Sequence, residues 1–179
     1  MVELNFTNEQ RFIIALLCDL YREPSKRELD PNLVATAIYG GHDWALTWQY
    51  SGIFPGEPDS RNHVSFVTDT LDMWSHIEHG YSKLSPEDKE KVKAAVPYLG
   101  EGPQFTGFDG NNEAEFMSIA WMMVDQMGRF SNFKGRSFNS HMPKVARYRD
   151  MLAVWPDVRA TLHKGDMTAD QLVQLLSRD

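Results

Sequence analysis

The chain has 179 residues, a net charge of −7, 42% hydrophobic and 24% charged residues, and a single cysteine. A chain of this size can bury roughly 70% of its unfolded surface as one domain, without staples, and one cysteine excludes an internal disulfide. The acidic balance disfavours duplex nucleic acid and anionic membranes, where basic patches supply most of the affinity.

The stretch "MVELNFTNEQ" has an acid at position 3 and no basic region ahead of an apolar one, so it does not read as a signal peptide. No apolar run approaches the ~20 residues that span a bilayer, and the expectation is a soluble, cytoplasmic protein. Thr7 and Gln10 have capping-box spacing, and "RFIIALLCDL" follows as a helix, with Cys18 expected in the core. Asp30 and Pro31 form an N-cap and N1 pair that opens "PNLVATAIYGG", and Gly40-Gly41 breaks it. "HDWALTWQY" resumes, with Trp44 and Trp48 expected inside, and "SGIFPGEPDS" (51–60) is a loop. From Arg61, Val64, Val67, Leu71, Trp74 and Tyr81 recur at helical spacing, widened by Phe66, Met73 and Ile77. Ser85 caps the next helix, with Pro86 at N1 and acids in the first turn.

A glycine-rich loop then leads through "GFDGNNEAEFM" into the most apolar helix, predicted over residues ~112–128 and placed at the centre, with Trp121 largely buried. Asn111 or Asn112 is expected to cap it, and Asp125 and Arg129 stand at i,i+4. Asp109, Asn111 and Glu113 imitate the start of a calcium loop, but its sixth and twelfth positions hold Ala114 and Ala120, and the motif fails. The predicted reading is a capped turn with Phe108 as a packing plug. Val145, Tyr148, Leu152 and Trp155 form a further stripe, and Thr168 and Gln171 cap a last helix with Leu172, Leu175 and Leu176. No alternating run is long enough for a strand. The fold expected is all-α, one domain over 1–179, with seven to eight helices.

Charge is unevenly spread. Residues 94–128 hold five acids and no base, whereas 129–159 hold seven bases and two acids. Two neighbouring helices of opposite sign, facing each other or a sister subunit, account for this simply; a polarised cleft for a charged ligand is the sharper alternative. Nucleophile elbows, P-loops and dinucleotide fingerprints are absent. Asp69, Asp72, His76 and His79 share one helical face and are weak candidates for a divalent metal, but a solvated polar face explains them as well, and no metal or cofactor is expected. For a small-molecule site, the loop after the apolar helix offers Arg129, Phe130, Phe133, Lys134, Arg136 and Phe138, suited to an anionic or planar ligand. A helix of about 16 residues is about 24 Å long, so the loops at its two ends are not expected to form one pocket.

"FTNEQRFII", "MWSHIEHGYSKL", "GFDGNNEAEFMSIAWMMVDQMGRFSNF" and "FNSHMPKVARYRDML" resemble the YfbU family of bacterial and archaeal proteins. The resemblance covers nearly the whole chain and is loose between about residues 22 and 62. It implies an all-helical domain of undefined biochemical role. Some members pair the domain with a helix-turn-helix, which suggests ligand sensing. Because no catalytic constellation stands out in the sequence, the function expected is a non-catalytic ligand-sensing or protein-interaction module, and its wide apolar faces and opposite charge blocks suit self-association. The alternative is a hydrolase-like enzyme assisted by a metal at Asp69, Asp72, His76 and His79.

Overall fold

The computed structural model describes residues 4–20, 29–50, 53, 59–162 and 166–177. Most of the loop expected over 51–60 lies outside them. The contacts divide the chain into two compact units, Met1–Pro58 and Asp59–Asp179. Among the described residues there are eight α-helices and no named strand, as the sequence patterns predict.

The first unit holds α1 (Asn8–Leu20), α2 (Pro31–Gly40) and α3 (Asp43–Gln49). The predicted start signals act as expected. Thr7 and Gln10 bond reciprocally through backbone and side chain, and the Asp30 side chain accepts from the Asn32 amide ahead of Pro31. Gly41 closes α2 at φ 69°, where a side chain would be strained. A small core of Ala37, Ile38 and Leu46 is packed by Ile14, Leu33, Val34 and Tyr50. Cys18 is buried as expected, and burial pushes its thiol pKa up. Trp44 and Trp48, expected inside, are instead 58% and 66% exposed and meet edge to face. Their i,i+4 spacing put both on one helix face, but that face is not the one α3 buries.

The second unit is built on α4 (Arg61–Lys83), which packs against α6 (Ala114–Trp121), α7 (Val145–Ala160) and α8 (Ala169–Leu176). α5 (Pro86–Ala95) lies against α8. Val67, Leu71, Met73, Trp74 and Ile77 of the predicted stripe are all buried. Gly80 sits in the same helix because a Cβ there would lie 2.8 Å from the Met167 side chain, so this helix-weakening residue permits a close approach.

The central place therefore belongs to α4, not to the segment 112–128. That segment is shorter than predicted: α6 ends at Trp121, and a π-turn over Met122–Gln126 follows. Widening to π geometry shifts the angular position of everything after it, so the apolar run beyond Trp121 does not keep one face to the core: Val124 is buried and Met127 is exposed. Trp121 is 47% exposed. Trp121→Ala should consequently cost no more than about 1 kcal/mol in denaturant titration, well short of a buried tryptophan's ~3–5 kcal/mol; a larger loss would restore the central-helix reading. Arg129 lies beyond the helical turns, and Asp125 accepts instead from the Gly135 amide at 3.2 Å.

Candidate functional site

The two glycine- and aromatic-rich loops, expected apart, come together. After the π-turn the chain reverses through Gly128, Phe130 and Gly135, all at positive φ. It then runs back beside the segment before α6. Phe108 and Asn139 form a parallel bridge: the Phe108 amide donates to Phe138 O and the Ser140 amide to Phe108 O, each at 2.9 Å. Gly107, at φ 86°, makes this pairing possible, because a Cβ there would stand 2.0 Å from Phe138 O. The Asn139 side chain accepts from the Gly110 amide at 3.0 Å and from the His141 amide at 2.9 Å, tying both loops. The premise that failed was a straight helix separating the loops by its length; three left-handed residues fold the return strand back along it.

The acidic side of this junction is also structural. Asn111 and Asn112 do not cap α6 with their side chains. Asp109, buried, accepts from the Asn112 side chain and the Asn111 amide, which hold its carboxyl below the usual carboxylate range. Glu113 stands at the N-cap of α6 without capping it. Its buried carboxylate crosses to α7, accepting the Lys144 amide at 2.9 Å on each oxygen and the Val145 amide at 2.8 Å, and it also takes the Asp109 amide at 3.0 Å. Lys144 provides no side-chain cap for α7, so a carboxylate from 31 positions earlier in the chain satisfies the open amides of that helix. Beyond this junction, Asp125 accepts the Gly135 amide, and among the described residues no acid of 94–128 forms an ion pair with the basic block. The basic block pairs with α4 instead, through Arg136–Glu78 and Arg159–Asp72.

The six residues expected to hold a ligand are dispersed in role. Phe133 and Phe138 are buried in the core, Phe130 is half-buried against it, and Arg129 and Lys134 are exposed. Arg136 forms a two-pronged pair with Glu78 at 2.8 and 2.9 Å and lies over the Phe133 ring. Glu78 also accepts the Phe105 amide at 2.8 Å. Arg136 thus straps the return loop to α4, while lining an open groove of about 590 Å³ with Gln104, Thr106, Ser137 and Asn139.

On α4, the four metal candidates do not converge. Asp72 pairs with Arg159 at 3.2 Å, His76 bonds to Asp72 O and lies against Trp155, and His79 reaches Asp166 at 3.7 Å. Asp69 is exposed beside Trp155 and Arg159. Among the described residues no group of three or more His, Cys, Asp or Glu side chains could hold a metal ion. Nor is any described helix long and apolar enough to cross a membrane.

The most unusual surface belongs to α1. Its inward positions are Arg11, Ile14 and Cys18, and Arg11 bonds to Ile38 O and the Asp43 carboxylate. Its outward positions are Phe12, Ile13, Leu16, Leu17 and Leu20, each about half exposed or more. The helix turns a part-buried ion pair inward and presents its apolar side outward. The sequence showed the apolar run but not its direction, since the run is apolar on most sides.

Residues 4–177 match the YfbU domain family. This chain belongs to the YfbU family. It is also 28% identical over 130 residues to UPF0304 protein MJECS11 of Methanocaldococcus jannaschii, covering 70% of this chain and 71% of that protein. The YfbU family carries no established activity, and nothing in these similarities favours the enzyme reading. Asn139, Glu78, Lys144 and Arg147 had no individual role in the sequence reading, and each acts through a partner distant in the chain.

Proposed function

We propose that this YfbU protein is a non-catalytic cytoplasmic interaction module that associates with a second copy of itself through the outward face of α1. The observation that carries the reading is the inverted amphipathicity of that helix. Its five exposed side chains present on the order of 500 Å² of apolar surface, as much as the largest patch on a typical monomer. A stable dimer buries about 800 Å² per partner, and Tyr39, Trp44 and Trp48 are further exposed aromatics in the same unit. Phe12, Ile13, Leu16, Leu17 and Leu20 follow the 3- and 4-residue spacing of a helix–helix seam. Two copies related by a two-fold axis would pair the same stripe with itself, which needs no other partner.

Sedimentation of the whole chain tests this directly. A dimer is expected at micromolar concentration. Leu16→Glu combined with Leu20→Glu should raise the dissociation constant by about 30-fold or more, the scale of removing one ~2 kcal/mol anchor, with unchanged helical circular dichroism. A wild-type protein that stays monomeric at high micromolar concentration, or a doubly charged variant that stays dimeric, would overturn the proposal.

A further inference from the structure

A cavity of about 250 Å³ lies in the second unit, between α4, the turn Pro97–Leu99, the loop 102–106 and the first turn of α7. Its walls carry Lys144 and Arg147 and no carboxylate. In a chain with a net charge of −7 this is a local reversal of sign. Among the described residues the Lys144 ammonium has no ion-pair partner. Arg147 bonds to neutral acceptors, the Tyr98 hydroxyl and the Leu176 carbonyl, and stacks 4.7 Å from the Tyr98 ring. Its Nε is buried without a partner. So is the indole N–H of Trp74, a wall residue only 3% exposed. Buried donors are nearly always paired in folded proteins, and two unpaired donors at one cavity, beside two cations, point to an acceptor that arrives with a ligand.

Among the described residues the neighbouring charges leave a positive balance, two cations against one carboxylate outside the walls. Glu113 is the carboxylate close to the start of α7; its charge reaches Tyr148, but its oxygens are turned to the Lys144, Val145 and Asp109 amides and it does not line the cavity. Tyr148, also in the wall, donates its hydroxyl to Gly107 O, and burial pushes its pKa up to about 12, so it adds no negative charge. Tyr98, Trp74 and Tyr148 supply flat apolar walls, and Gln104 and Thr106 supply polar groups at the margin. The volume falls below the ~300–1,000 Å³ of sites for drug-sized ligands.

We propose that this cavity binds a small flat organic oxyanion, a carboxylate or phosphate monoester. Lys144 and Arg147 meet its charge, and the Trp74 indole N–H donates to one of its oxygens. This goes beyond self-association and involves no residue of α1.

The test follows the Trp74 indole N–H resonance of the ¹⁵N-labelled protein, identified by its loss in Trp74→Phe. Benzoate and phenyl phosphate are titrated against benzamide, which has a similar shape and no charge. One or both anions should shift the resonance saturably, the tighter one telling carboxylate from phosphate, and benzamide should not. Lys144→Met should weaken the anion by about tenfold, and Lys144→Gln serves if that variant folds poorly. No saturable shift with either anion at millimolar concentration, an equal response to benzamide, or unchanged binding in the folded Lys144 variant would overturn the proposal. Sedimentation of the same samples keeps this outcome separate from the dimer: loss of the anion site leaves the α1 association intact.

Discussion

Glu113→Ala should destabilise the protein by about 3–5 kcal/mol in urea titration, although position 113 lies at a loop–helix junction. Glu113 is buried, and its carboxylate accepts amides from Asp109, Lys144 and Val145. Hydrogen bonds to a charged acceptor contribute about 1.5–3 kcal/mol each, and an orphaned buried amide costs about 1–3 kcal/mol. Water entering the gap left by the side chain recovers part of this, which is why the three losses do not sum fully. The α7 end also loses the negative charge that favours its open amides. Glu113→Gln keeps one acceptor oxygen and should lose about half as much. Amide exchange would localise the effect, with Lys144 and Val145 losing protection first. A near-neutral Glu113→Ala would mean that α7 starts equally well without this carboxylate.

The same residue shows where sequence reading reaches its limit. Thr7, Asp30, Ser85 and Thr168 each cap the helix directly after them, as the sequence predicts, because capping is a contact over two or three positions. The stripe beginning at Val145 is preceded by "MPK", with no Ser, Thr, Asp or Asn at the cap. That missing cap was the available signal that a distant acceptor must exist, but nothing local says it is Glu113. The α4 stripe was legible because its period stays helical for 23 residues. The segment after Trp121 was not, because a π-turn leaves no mark in an apolar run. Arg136 illustrates a third case. Its charge and aromatic neighbours read equally well as a ligand site and as a strap, and only the position of Glu78, 58 residues away in the chain, shows the strap. The cavity at Trp74, Lys144 and Arg147 was illegible for the same reason: its walls come from three separate stretches.

Phe108→Ala should cost about 3–5 kcal/mol, lowering the melting temperature by about 10 °C or more. The expectation from "GFDG" was a packing plug, and the side chain is 0% exposed. Its ring lies 5.6 to 6.3 Å from the rings of Tyr148, Phe116, Phe105 and Phe66. These four come from α4, α6, α7 and the loop at 105, so one truncation opens a cavity shared by every element that meets there. The backbone at the same residue carries the bridge to Phe138 and Ser140, and a side chain that cannot hold its place would loosen that bridge too. Phe108→Leu keeps much of the volume and should cost about half as much, which separates packing from any demand for an aromatic face. Because the ring is fully enclosed, it cannot touch a ligand without first leaving the core. Benzoate or phenyl phosphate binding at the Trp74 cavity should therefore persist in Phe108→Ala wherever that variant remains folded. A variant of normal stability that has lost anion binding would show that the loop grips a ligand, and that the enclosed position of Phe108 is not its working one.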